Sequence, residues 1–455
     1  MEASIMGHVK IVDILIDAGA EVDAKSNADI TALWLASGGN KIDVMKTLLK
    51  KGADATITRV DGTTALMTSG VSGHVEATKL LLENGADPRA IDNDGLTALM
   101  NAAENGSAAV VKTLVEASGS DGDVKYVDIM SKTGFTSLII AAAHGHTDAV
   151  KYLIEEAGAD VNLVYENGVT SLMYAAASGH VDTMKALVEG GKIDVNALHT
   201  NGGSALIEAS TAGAADAIKF LIDHGAKYDL LDNDGVTPLM AVASQGNMAG
   251  LEHVLNALKE NMSPEQVTAH INLFSFSGGT AVMFAAAGGH PEPTKILIEH
   301  GADVNAIAQA TPEYLEKLAQ MIEEGTVEEN DPHVDGVTAV HVAAQAGHLE
   351  CVNILVEAKA DVTVLDDEER TPLLLAVKGN YGEVASALVR GGADLNTPYV
   401  DEEGESHNLL MDRIIVKTVS LRLFSCKTVQ ILYHEDNHKV TMLLQASHRG
   451  MVDVV

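Results

Sequence analysis

The stretch NGVTSLMYAAASGHVDTMKALVEGGKIDVNA, residues 167–197, decides how the whole chain reads. Asn167-Gly168 favours a tight turn, and Thr170 stands where it can cap a helix whose Ser171–Ala177 run is small and mostly apolar. Gly179 stops that helix. A second helix follows, with Met184, Leu187 and Val188 at helical spacing. Gly190-Gly191 end it, and Ile193-Asp194-Val195-Asn196 extend into the next turn.

The same unit recurs along the chain. Taking Thr170 as the anchor, equivalent positions are Thr31, Thr64, Thr97, Thr136, Ser204, Thr237, Thr280, Thr338, Thr371, Asn408 and Thr441. Five of the eleven intervals are 33 residues and two are 34, so the longer ones mark insertions. A single helix pair of this size cannot bury its apolar face alone; neighbours must stack to make one continuous core. Alanine runs at 141–143, 175–177 and 285–287 suit close approach of the first helices. Asp61-Gly62, Asp94-Gly95 and Asp234-Gly235 are expected at the tips of β-turn fingers along one edge.

These features resemble the ankyrin-repeat family. The resemblance rests on the T-x-L-x-x-A helix start, on Gly-His between helices at 7–8, 73–74, 145–146, 179–180, 289–290 and 347–348, and on the tail Gly301-Ala302-Asp303-Val304-Asn305. It covers nearly all of the chain. It implies an all-α solenoid of stacked helix-turn-helix pairs with β-turn fingers, about twelve to thirteen repeats with partial ones at the ends, curving toward the shorter first helices. It implies protein–protein binding through the fingers and the concave first-helix face. Positions of that kind here are Asn93, Asp94, Phe135, His144, Glu166, Val169, Asn233, Val236 and Gln245.

The expected organisation is a truncated first repeat at 1–24 and regular repeats over 25–306, with insertions at 118–128 and 256–271. An acidic helical insertion at 307–334 follows, then repeats at 335–407, and a degenerate repeat with a truncated last repeat at 408–455. The insertion at 256–271 should lengthen the second helix and start a new turn at Ser263-Pro264. In 307–334, Thr311 and Pro312 should open an amphipathic helix running to Gly325, with seven acidic residues against Lys317. Residues 413–432 (RIIVKTVSLRLFSCKTVQIL) keep the length of a repeat but lose its glycines and its acids, and the β-branched run is a poor helix former. A locally shifted reading frame, a diverged repeat and a basic patch are the three readings of that segment. Both ends cut through a repeat, as in a piece of a longer product.

Composition narrows the function. The chain has 64 acidic and 30 basic residues, a formal net charge of -34. Counterion release on nucleic acid needs clustered Lys and Arg, so nucleic acid is not an expected partner; a protein with a basic, partly apolar surface is. MEASIMGHVK lacks the apolar segment of a signal peptide, and no run approaches the ~18 apolar residues of a spanning helix, so membrane insertion is not expected. Two cysteines, Cys351 and Cys426, form neither a disulfide framework nor a metal quartet, which favours a reducing, cytoplasmic setting.

Catalytic, cofactor and metal sites are not expected. His434-Glu435-Asp436-Asn437-His438 matches H-E-x-x-H, which needs a helix to bring both histidines to one face; the register puts it in a finger instead. The Gly-His histidines lie a full repeat apart and should be turn residues bonded to local backbone. Methionines at the third position after the anchor (Met67, Met100, Met173, Met240, Met283 and Met411) are expected between repeats, where the resemblance implies His, as at His341. The reading is a non-enzymatic scaffold or adaptor; the alternative is a regulatory or targeting region of a larger multidomain protein.

Overall fold

The computed structural model describes residues 1–119, 125–164, 166–323, 335–395, 397–400, 406–408, 430–436 and 439–445. The chain divides into two compact units, Met1–Asn233 and Asp234–Val455. The first unit holds seven helix pairs, from Glu2–Ile5 with Val9–Asp17 to Ala205–Thr211 with Ala215–Asp223. Each short first helix packs on the first helix before it: Ala65–Val71 on Ala32–Gly38, Ala98–Asn105 on Ala65–Val71, and onward to Ala205–Thr211 on Ser171–Ala177. Alanine makes this possible, since Ala141, Ala142, Ala175 and Ala176 are wholly buried.

The anchors act as helix caps. Thr64, Thr97, Thr136, Thr170, Thr237 and Thr371 each accept the backbone N–H three residues on at 3.1–3.2 Å, satisfying a donor the helix cannot. Thr280 takes the cap position without such a bond. Met67, Met100, Met173, Met240 and Met283 are buried between repeats. Two of them also complete the cap, because the Thr64 and Thr170 N–H groups donate to Met67 Sδ and Met173 Sδ at 3.4 Å. At Thr338 the same N–H donates to His341 Nδ1 at 3.1 Å.

Three further kinds of tie join repeats to their predecessors. The Gly-His histidines reach back: Nε2 of His74, His146, His290 and His348 lies 2.8–3.2 Å from the carbonyls of Gly38, Glu104, Ser244 and Ala287. These four therefore bond the preceding repeat's helix end rather than their own local backbone. In the tail, Asp54, Asp160 and Lys227 donate N–H to Asp23, Asp128 and Asn196 side chains. Fingers link by backbone bonds, Asn93 N–H to Asp61 O, Lys132 to Asp94, Thr200 to Asn167 and Asn233 to Asn201, at 2.9–3.0 Å.

The second unit begins with Pro238–Ser244 and the long helix Met248–Asn261. Where the sequence suggests a new turn at Ser263-Pro264, Ser263 caps a full helix, Pro264–Ile271, with a reciprocal bond to Gln266. Pairs Ala281–Ala287 with Pro291–Glu299, Ala339–Ala346 with Leu349–Glu357, and Pro372–Lys378 with Gly382–Arg390 follow. The acidic excursion leaves the stack intact. Helix Pro312–Glu323 opens at Thr311, whose hydroxyl accepts the Tyr314 N–H at 3.2 Å, yet Ala339–Ala346 packs directly on Ala281–Ala287.

Some expectations meet a different outcome. The helix after His180 runs through both glycines to Gly191, and the left-handed residue that closes it is Lys192. Asn408 and Thr441, placed by the register at helix starts, lie in strands: Pro398–Val400 pairs with Ser406–Asn408, and Gln430–Asp436 pairs antiparallel with Lys439–Gln445. Without the Ala and Gly of a helix pair, residues such as Ile431, Tyr433, Val440 and Thr441 favour extended chain. His434 and Glu435 sit in that strand and not in a turn. The loop centre at 120–124, the expected helix end at Gly325, Met411, residues 413–429, His438 and the final partial helix lie outside the described residues.

Candidate protein-binding surface

The surface follows from what the stack leaves uncovered. In several first helices the small residues and the large residues two and three after the anchor face inward. This leaves partly exposed the residue four after the anchor, as at Ile140, Tyr174 and Glu208, and the residue just before it, as at Phe135 and Val169; Asn101, Ala241 and Leu375 are buried at the former position. In the first unit these positions bring Phe135 and Tyr174 together, ring centroids 5.5 Å apart and tilted 45°. Phe135 is half-buried, its N–H held by the Ser131 hydroxyl at 3.0 Å. Burial first, and then the negative charge of Glu208, holds the Tyr174 phenol above its ordinary pKa.

Glu208 is itself positioned. His199 Nε2 lies 3.0 Å from Glu208 Oε1, and His199 Nδ1 accepts the Asn201 N–H at 3.1 Å. Accepting at Nδ1 leaves the proton on Nε2, so the ring donates to the carboxylate. Aromatic faces beside a carboxylate on a first-helix surface offer van der Waals area, a cation–π face and a charged acceptor.

The nine sequence-derived positions separate by role. Asn93 and Asn233 lie at fingertips, but their amide groups donate to Val60 O at 3.3 Å and Thr200 O at 2.8 Å, so they brace the preceding finger. Asp94 is exposed, with its carbonyl committed to Lys132. His144 is exposed, stacked on His146 at 6.0 Å and bonded through Nδ1 to Ile140 O. Glu166 is exposed and Val169 half-buried on the same run of fingers. Val236, half-buried, and Gln245, exposed, belong to the second unit. The sequence reading passed over Tyr174, His199 and Glu208, although Tyr174 and Glu208 each lie four residues after an anchor, beside Phe135 and Val169 in the same register.

Among the described residues no group of His, Cys, Asp and Glu is arranged to hold a metal, and no helix is long and apolar enough to cross a membrane. Cys351 is buried, and that burial raises its thiol pKa, against the behaviour of a nucleophile.

A sequence profile described as "Ankyrin repeats (3 copies)" matches residues 1–92, 40–126, 85–165, 157–232, 228–308 and 306–399. The B-cell lymphoma 3 protein homolog of Mus musculus is 32% identical over 245 residues, covering 50% of this chain and 51% of that protein. Protein phosphatase 1 regulatory subunit 27 of Mus musculus is 33% identical over 98 residues, 22% of this chain and 62% of the relative. The chain thus spans about half the length of the first relative and under two thirds of the second. The crystal structure of the human ASB11 ankyrin repeat domain aligns at TM-score 0.44 and 23% identity, over 50% of this chain and 98% of that one. With capped helix pairs, stacked fingers and profile matches running through residue 399, the chain belongs to the ankyrin-repeat family.

Proposed function

We propose that this protein-interaction scaffold holds its partner on the first-helix and finger face of the first unit, around Phe135, Val169 and Tyr174. The observation that carries the reading is the half-exposed Phe135–Tyr174 ring pair beside the positioned Glu208. Aromatic anchors with a nearby carboxylate match a partner that is basic and partly apolar, as does the chain's net charge of -34. The same charge disfavours nucleic acid. The role is non-catalytic and belongs to a reducing, cytoplasmic setting.

Proteins captured by the wild-type chain, identified by mass spectrometry and then purified, provide the test. A partner bound through this face loses about tenfold or more affinity to Phe135→Ala/Tyr174→Ala, as removal of central aromatic anchors does. It keeps its affinity for Lys112→Ala/Glu116→Ala, changed on a second helix. The reverse pattern would show the assignment to be wrong.

A further inference from the structure

One finger position carries a large apolar side chain in repeat after repeat and yet meets water. Six residues before the capping Thr or Ser stand Ile91, Met130, Val164, Leu198 and Leu231 in the first unit. Ile91 is 58% exposed, Leu198 48% and Leu231 42%; Met130 and Val164 are half-buried. Backbone bridges Ile91 to Thr97 and Leu198 to Ser204 fix this residue opposite the helix cap. In the second unit the same position holds Phe274 and Leu365, both exposed.

Single exposed leucines are ordinary on a protein surface. Recurrence at one structural position in five successive repeats is different, because the fingers are joined to one another. The first helices Ala98–Asn105, Ser137–Ala143, Ser171–Ala177 and Ala205–Thr211 pack in order. The bonds Lys132 to Asp94, Thr200 to Asn167 and Asn233 to Asn201 join the fingers of Ile91 and Met130 and those of Val164, Leu198 and Leu231, so the five side chains follow one another as a stripe. Stacked helices pack about 8–10 Å apart, which sets the spacing of the apolar contacts. A polyproline II chain returns to the same face every third residue, after about 9 Å. A β-strand returns after about 6.7 Å and successive turns of an α-helix after about 5.4 Å, so an apolar residue at every turn of either outpaces the stripe, whereas every turn of a polyproline II chain meets one finger. The five finger arms, 87–94, 126–133, 160–167, 194–201 and 227–233, hold nine carboxylates against three basic side chains.

We propose that this stripe docks a polyproline II segment of a partner protein, basic overall and with an apolar side chain at every third residue. The stripe lies on the fingers that also carry Phe135 and Val169, so it rests in part on the proposed binding face, and the test distinguishes the two. The full chain is titrated into a fluorescein-labelled peptide of five Leu-Pro-Arg triplets, and into a peptide of the same composition with its leucines clustered at one end. Saturable binding of the first, about tenfold or more tighter than of the second, is expected. Ile91→Ser/Leu198→Ser/Leu231→Ser should weaken binding by about tenfold or more with circular dichroism and Tm unchanged, since these side chains are outside the core. Phe135→Ala/Tyr174→Ala should bind the peptide as the wild type does. Equal binding of both peptides, no saturable binding, an undiminished triple variant, or loss of binding in Phe135→Ala/Tyr174→Ala would each overturn the proposal.

Discussion

His341 shows what one residue does in this array. It sits where five other repeats bury Met, it is itself buried, and it bonds Thr338 through Nδ1 and the Arg370 carbonyl through Nε2. Burial lowers its pKa, outweighing the Arg370 carbonyl and the charge of Asp366, which pull it up. The folded state therefore prefers neutral imidazole. Its contribution is undiminished above the ordinary value of about 6.5 and is lost as pH falls from there toward the lower folded value, because the unfolded chain binds the proton more readily. His341→Met, the residue used elsewhere, is expected to be less stable than wild type at pH 7.5 and to close that gap by pH 5.5. Urea midpoints at the two pH values decide it; a gap that stays constant would mean His341 does not titrate with unfolding.

A second residue-scale prediction concerns the glycine of the inter-helix turn against which the next repeat's histidine packs. Gly106 has φ +79°, and a Cβ there would come within 2.4 Å of the His146 ring, which is held by the Glu104 carbonyl. Gly85 has φ +85° with nothing within 4 Å of the added atom. Gly85→Ala thus measures the backbone penalty alone, about 1 kcal/mol. Gly106→Ala should cost at least about 1 kcal/mol more, since the ring must move and give up a hydrogen bond. Equal losses in chemical denaturation would remove the proposed ring packing.

At the scale of elements, the second unit absorbs two added segments by capping them as helices. Ser263→Ala removes the hydroxyl that Gln266 N–H uses and should cost about 0.5–2 kcal/mol, seen as faster amide exchange confined to 264–271. Unchanged exchange there would show that Val267 and Ile271, both buried, hold the helix without the cap. This element was legible in part: Ser263-Pro264 marks a new turn, whereas the reciprocal Gln266 bond that makes it a capped helix emerges only in the structure. The repeat itself was legible because Thr170, Gly179 and the alanines encode cap, stop and close packing within a few residues. Partners across repeats were not. That His146 bonds Glu104, 42 residues away, and that Asn233 braces Thr200 are consequences of stacking, which local pattern does not carry. The ring pair Phe135–Tyr174 and the exposed stripe share that origin, since exposure depends on what lies alongside. At 430–445 local propensity outweighed register: the spacing from Asn408 to Thr441 was kept, but residues without Gly or Ala punctuation paired as strands.

For the molecule as a whole, stability follows the number of neighbours. Ile11 and Leu15 occupy the second-helix positions of Val44 and Leu48, of Val110 and Leu114; the later residues are buried, whereas Ile11 and Leu15 are about half exposed. The helix Val9–Asp17 thus gains apolar burial from one side only, while Ser171–Ala177 packs between Ser137–Ala143 and Ala205–Thr211. In a repeat array most of the folding free energy resides in such interfaces, so opening starts where an interface is missing and spreads inward. Amide exchange under native conditions should be fastest in 2–17 and slowest in 98–114 and 171–187, with unfolding monitored by different probes not coincident. The exposed pair gives a sharper version. Leu15→Ala should cost about 1 kcal/mol or less, whereas Leu81→Ala, at the same position two repeats on and fully buried, should cost about 2–5 kcal/mol. Comparable losses at both sites, or exchange in 2–17 as slow as at 171–187, would mean that the first repeat is covered in solution.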